Sequence, residues 1–151
     1  MCSSDLLIAG EGDLRAELVS RAAAAQPARI RLLGNQTHSQ IARLASAADV
    51  IAVPSIRDDA GNVDGLPNFA LEALASATPV VATTAGGLAQ AVRHDVNGLL
   101  VPERDPAALA GAIARLIGDR AWAAAIGAEG RASVIRQFGW ARVAEQDRKS
   151  T

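Results

Sequence analysis

Residues 64–87 read DGLPNFALEALASATPVVATTAGG. An Asp-Gly turn leads into a stretch of helical composition, 67–77; Pro79 opens an apolar run of strand length, 79–83; and a glycine pair, Gly86 and Gly87, closes the unit. Turn, helix, strand and turn in so short a span make one step of an alternating α/β fold, and the rest of the chain can be tested for the same step. Within the helix the polar residues are Asn68, Glu72 and Ser76, spaced four apart and therefore on one face. Such a stripe is ordinarily the solvent face of an amphipathic helix. A solvent face normally carries several charges, however, and here one carboxylate stands among Leu71, Ala73, Leu74 and Ala75.

The alternation continues in both directions. Short apolar runs at 6–9 (LLIA), 30–33 (IRLL), 50–53 (VIAV) and 98–101 (GLLV) have strand length and composition, and turn residues bound most of them. Between them, 13–25, 39–48, 67–77 and 88–94 carry apolar residues at helical spacing. The pattern predicts a parallel sheet covered by helices, because right-handed crossovers return each strand in the same direction, with most strands buried. After Val101 the pattern is helical only: 106–118, where Arg-Asp-Pro places Pro106 in a first turn, then 120–137. The predicted class is α/β, a Rossmann-like parallel sheet with flanking helices followed by C-terminal helices.

Bulk composition narrows the function. The chain has 151 residues, 50% of them hydrophobic, which suits one packed domain. Fifteen Lys and Arg against 16 Asp and Glu leave a net charge of −1, so no basic field is available to hold a nucleic acid backbone. The single cysteine, Cys2, excludes an internal disulfide framework and fits a reducing, cytoplasmic compartment. No apolar run approaches the roughly 18 residues that span a bilayer, and the start of the chain lacks the regions of a signal peptide.

In an open α/β sheet, ligands bind beyond the carboxyl ends of the strands. The sequences there are GEGD (Gly10 and Gly12), GN (Gly34 and Asn35), PSIRDDAGNVDG and TAGG (Gly86 and Gly87). Glycine permits close backbone approach, and a following helix presents free N–H groups to an anion, so a phosphate-bearing ligand fits this rim. Tight βα turns call for glycine in any case, and both readings stand for any single loop. Gly10-x-Gly12 lacks the third glycine of a dinucleotide fingerprint, position 15 being Arg, and the acidic residue expected on the next strand is absent, so a nicotinamide site is rejected. At this rim Glu72 is expected to be half buried. A carboxylate with little water is costly unless charge-assisted hydrogen bonds, about 1.5–3 kcal/mol each, offset the loss. The hydroxyls of a sugar or ribose would supply them, and Asp64 could address the same ligand.

VPS at 53–55, then DGLPNFALEALASATPVVAT and AGG, resembles the signature region of the retaining GT-B glycosyltransferases of family 4, in the variant reading EGLPN. LLIAGEGDLRAEL is similar to that family's strand-loop-helix opening, IRLLGN with IARLASAADVIAVPS to its next unit, and VNGLLVPERDPAALAGAI to the segment closing the domain. The resemblance covers nearly the whole chain. It implies the C-terminal, donor-binding half of a GT-B fold, and an intact hexosyltransferase that moves a sugar from a nucleotide sugar to a glycan, lipid or small acceptor, in the manner of bacterial polysaccharide biosynthesis.

Residue by residue, the resemblance implies that Glu72, the second Glu of the E-x7-E motif, binds the ribose of the donor. Asp64 stands at the first Glu, which contacts the donor sugar. Gly65, Leu66, Pro67 and Asn68 follow the stretch beside sugar and diphosphate, though Pro67 has no N–H to donate. Gly34 and Asn35 match the loop against the base, and Gly86 and Gly87 the pair near the phosphates. Three positions depart from the pattern: Asp64 is one methylene shorter than Glu, Ala77 replaces a usual Gly, and Gln90 replaces a frequent Glu. The acidic insert RDDAGNV, 57–63, is read as a solvated loop, in which Arg57 or Asp58 could touch an acceptor.

The family resemblance also implies what to expect around this segment. Residues 6–146 are expected to form the nucleotide-sugar domain without its first βα unit, whose Arg and Lys clamp the leaving diphosphate, and without the acceptor-binding N-terminal domain. Residues 1–5 and 147–151 resemble translated adaptor sequence and are expected to be non-native. Neither a cofactor nor a metal is expected, since no Asp-x-Asp motif is present, and the segment alone is expected not to turn over. A cytoplasmic location, with peripheral contact at the inner face of the membrane, is the matching expectation. A GT-B nucleotide-sugar 2-epimerase and a non-catalytic nucleotide-binding module are the alternatives. His38 and His94 are read as structural, and Trp122 and Trp140 as packing the C-terminal helices.

Overall fold

A computed structural model of the chain describes residues 5–25, 29–58, 60–62 and 68–138. The element order is β1 (Asp5–Ala9), α1 (Arg15–Ala24), β2 (Arg29–Gly34), α2 (His38–Ala47), β3 (Ile51–Val53), α3 (Asn68–Ala75), β4 (Val80–Thr83), α4 (Leu88–Ala91), β5 (Leu99–Val101), α5 (Pro106–Gly118) and α6 (Arg120–Phe138). Every predicted strand and helix is present, and each strand pairing is parallel.

The strands form two sheets, β1–β2 and β3–β4–β5, where the alternation alone predicts one. The chain divides into two compact units, Met1–Arg43 and Leu44–Thr151. In the first unit, Leu6 pairs with Ile30 and Ile8 with Leu32, and the register shifts so that Ala9 meets Gly34. β1 is one of the strands left open: Leu6 and Leu7 are 50% and 43% exposed, because a two-stranded sheet with one crossover helix has too few neighbours to cover it. α2 begins with a reciprocal cap: the Thr37 N–H donates to Gln40 Oε1 at 2.8 Å and the Gln40 N–H to the Thr37 hydroxyl at 3.3 Å.

The second unit has a sheet with a core on each face. Central β4 is buried throughout, and its alternation sorts its side chains between layers. Val80 and Ala82 pack with Ala70, Ala73 and Leu74 of α3 and Leu88 and Ala91 of α4. Val81 packs on the other face with Leu99, Val101, Leu116 of α5 and Ile126 of α6. Burying a side chain such as Leu74 contributes roughly 1.5–3 kcal/mol, so these layers hold the strands whose ends form the rim.

Two helices stop two or more residues earlier than periodicity suggests. α3 ends at Ala75 instead of residue 77, since Ala77 has φ +63° and the Ser76 hydroxyl turns back to the Ala73 carbonyl at 2.6 Å. α4 ends at Ala91 instead of residue 94 because buried Asn97 takes over the helix exit. Its Oδ1 accepts from the Arg93 N–H at 2.6 Å, and its Nδ2 donates to the Ala91 carbonyl at 3.0 Å and to the Ser133 hydroxyl at 2.9 Å. α5 starts as read, with Asp105 Oδ1 accepting from the Ala108 N–H at 2.8 Å and Pro106 following it.

Candidate functional site

In the second unit the parallel strands end on one edge, and three loops leave from it: after β3, after β4 and after β5. The β3 loop contains the acidic insert. Asp58 there accepts from the Asn62 backbone N–H at 2.7 Å and from Asn62 Nδ2 at 3.0 Å, while its own N–H donates to the Asn62 carbonyl at 2.9 Å. Gly61, at φ +83°, lets the chain reverse inside this turn. The Asn62 side-chain amide, followed by its backbone N–H, holds the Asp58 carboxyl below its ordinary value of 3.8. The Asp58 carboxylate thus accepts both of these bonds within its own exposed loop, which was read as solvated.

Asp64, Gly65, Leu66 and Pro67 lie outside the described residues, as does Trp140. Asn68 opens α3 and is exposed; Glu72, one turn on, is half-buried as expected; Ser76 is half-buried beyond it. The opposite face of the helix presents Ala70, Ala73 and Leu74 to the core, so the polar stripe points away from the sheet. After β4, Thr84 continues the pairing to Val101 at 3.0 Å, Ala85 is buried, and Gly86 has φ +54°. Gly87 then caps α4. With α4 a single turn long, its dipole is small, and any anion here would be received by backbone N–H groups of the loop itself.

In the first unit the Gly10 N–H donates to the Gly34 carbonyl at 2.8 Å, and both glycines have positive φ, +124° and +68°. This pair finishes the ladder, so the Gly10 amide is engaged in the sheet. The Gly12 carbonyl accepts from the Arg15 N–H at 3.0 Å, and a Cβ at Gly12 would meet nothing within 4 Å. Asn35 is exposed. These four residues and the Glu72 and Gly86–Gly87 set belong to different units, each with its own geometry.

Sequence reading missed two residues that shape the second unit's loops. Thr83, 4% exposed, donates from its hydroxyl to the Ser55 carbonyl at 2.5 Å, and Asn97 is 1% exposed with every side-chain polar atom bonded. A polar residue at a strand end was the available signal for the first; Asn-Gly before an apolar run was the signal for the second. His94, read as structural, accepts the Leu100 N–H on Nδ1 at 3.0 Å, and Trp122 packs in the C-terminal core with the Arg115 guanidinium 4.8 Å from its ring centre. An open depression of about 290 Å³ between α4 and α6 includes Gln90, Arg93 and Arg136 and none of the expected site residues. Among the described residues no helix is long and apolar enough to cross a membrane.

Residues 3–119 match the family described as Glycosyl transferases group 1. A D-inositol 3-phosphate glycosyltransferase of Salinispora tropica is 43% identical over 114 residues, which is 76% of this chain and 22% of that protein. Sucrose-phosphate synthase from Thermosynechococcus elongatus superposes with a TM-score of 0.76 at 37% identity, over 95% of this chain and 37% of the other. Anabaena HepE, solved in complex with UDP, superposes with a TM-score of 0.79 at 25% identity, over 95% of this chain and 39% of the other. The chain therefore spans between about a fifth and two fifths of the length of these proteins. With its parallel strands, flanking helices and this extent of match, the chain belongs to the glycosyl transferases group 1 family and has the Rossmann-like α/β architecture of GT-B enzymes.

Proposed function

We propose that this chain is the donor-receiving part of a retaining, metal-independent hexosyltransferase, and that in the intact protein it presents a nucleotide sugar to a glycan, lipid or small acceptor. The reaction breaks the bond between the anomeric carbon and the diphosphate oxygen and forms one to an acceptor hydroxyl oxygen, whose proton leaves. Glu72 accepts hydrogen bonds from the ribose hydroxyls, Asp64 addresses the sugar, and the backbone of the Gly86–Gly87 loop approaches the diphosphate. The developing diphosphate charge calls for cationic groups, supplied by a preceding βα unit in the intact protein. Cytoplasmic action, at the inner face of the membrane when the acceptor is a lipid, accompanies this reading.

The observation that carries it is Glu72: a half-buried carboxylate on a helix whose other face is packed into the core. The UDP bound by the Anabaena relative supports a nucleotide as the ligand. Ligand-observed NMR with UDP, GDP, ADP and their sugar conjugates tests it. Binding of one nucleotide by the unmodified chain, weakened about tenfold in Glu72→Ala by loss of a charge-assisted hydrogen bond, is the expected result. Binding that Glu72→Ala leaves unchanged would remove the ribose role.

A further inference from the structure

The segment leaving β3 is held by groups that the reading above leaves unused. The Thr83 hydroxyl at the end of β4 donates to the Ser55 carbonyl at 2.5 Å. Two residues later the Arg57 peptide is gripped at both its polar groups. Its N–H donates to Glu103 Oε2 at 2.7 Å, and its carbonyl accepts from Arg104 Nη2 at 2.8 Å. Glu103 and Arg104 are neighbours in the turn between β5 and α5, so one turn supplies both an acceptor and a donor to one residue of another loop.

Arg104 adopts φ +58°, in the left-handed region where a side chain is disfavoured and glycine is at ease. That local cost accompanies a guanidinium placed on the Arg57 carbonyl. Beyond the grip, the loop closes on itself through the Asp58–Asn62 turn, so residues 55–58 and 60–62 are fixed by bonds at both ends. A rim loop ordered before its ligand arrives loses less freedom on binding.

We propose that Glu103 and Arg104 are positioning residues: their clasp on Arg57, together with Thr83 on Ser55, preorganises residues 55–58, at the carboxyl end of β3, to receive the nucleotide sugar. The proposal rests on the donor-site reading above for its ligand, and on the hydrogen bonds alone for the clasp.

The test measures three quantities on the ¹⁵N-labelled chain: amide exchange at Arg57, affinity for UDP and GDP by chemical-shift titration, and Tm. In Glu103→Ala, exchange at Arg57 is expected to quicken about tenfold and nucleotide affinity to fall about threefold to tenfold, with Glu103→Gln restoring most of both because its carboxamide oxygen still accepts. In Arg104→Gly, Tm is expected to hold or rise as the left-handed residue is relieved, while affinity falls; a purely structural role would move the two together. Unchanged exchange at Arg57 in Glu103→Ala overturns the clasp. Faster exchange with unchanged affinity overturns its positioning role. An unmodified chain that binds no nucleotide overturns the donor-site reading and the positioning role with it, while the exchange rates still decide whether the clasp exists.

Discussion

Gly127 of α6 lies directly against the carbonyl of Ala77, so closely that a Cβ on Gly127 would collide with that oxygen and stand 3.2 Å from the Pro79 nitrogen. One turn on, a Cβ at Gly130 would come within 3.2 Å of Leu74 Cδ2 and of the Asn97 carbonyl. The C-terminal helix thus crosses the α3–β4 connection at a distance that only glycine allows. Gly127→Ala is expected to destabilise the chain by about 1–3 kcal/mol, the range for overpacking against rigid backbone. Gly111→Ala, in α5 with nothing within 4 Å of a new Cβ, should instead stabilise it by up to about 1 kcal/mol. Urea unfolding midpoints of the two variants, moving in opposite directions, check the relationship.

Ala77 turns the chain from α3 into β4 at φ +63°. A left-handed Ala costs on the order of 1 kcal/mol, and glycine gives back part of that through greater freedom in the unfolded chain. Ala77→Gly should therefore raise stability slightly, by about 0.5 kcal/mol. A fall in Tm would mean that the Ala methyl contributes more packing than its backbone geometry costs.

Asn97 is satisfied on both ends of its amide within a buried pocket that includes Ser133. Asn97→Ala loses three hydrogen bonds and leaves backbone groups unpartnered, with an expected loss of about 2–4 kcal/mol. Ser133→Ala removes one of those bonds and should cost about 1 kcal/mol. Thermal unfolding that ranks the two variants the other way would deny Asn97 its organising position.

The Asp58 turn should respond to acid. Because the Asn62 amide and N–H lower the carboxyl below 3.8 in the folded chain, the turn's contribution is complete above that value and is lost as pH falls through the lower folded value. Amide exchange at Asn62, corrected for its intrinsic pH dependence, is expected to lose protection below about pH 3.8. In Asp58→Asn that step should vanish.

The alternation of strand and helix was legible because it rests on local periodicity. Leu, Val and Ile runs, most of them bounded by turn residues, marked every strand, and Arg-Asp-Pro marked the start of α5, where Asp105 and Pro106 act within one turn of chain. The polar stripe of α3 was legible for the same reason, and Glu72 is half-buried as its apolar neighbours imply. Ala77 was visible in sequence only as a departure from a resembling family; its left-handed φ supplies the physical reason a glycine suits that place.

Other properties depend on contacts between residues far apart in the chain, which periodicity does not encode. The division of the strands into β1–β2 and β3–β4–β5, and the exposure of Leu6 and Leu7, follow from which edges find a partner. The early end of α4 is decided by Asn97 reaching back to Ala91 and across to Ser133. The hold of Thr83, Glu103 and Arg104 on the loop after β3 joins backbone groups to side chains from other strands' ends. Sequence by itself determined the elements, their order and the family, because these are written in short-range pattern. Only the tertiary structure decided which loops are fixed and by what, because a hydrogen bond between separate loops forms only after the strands have paired.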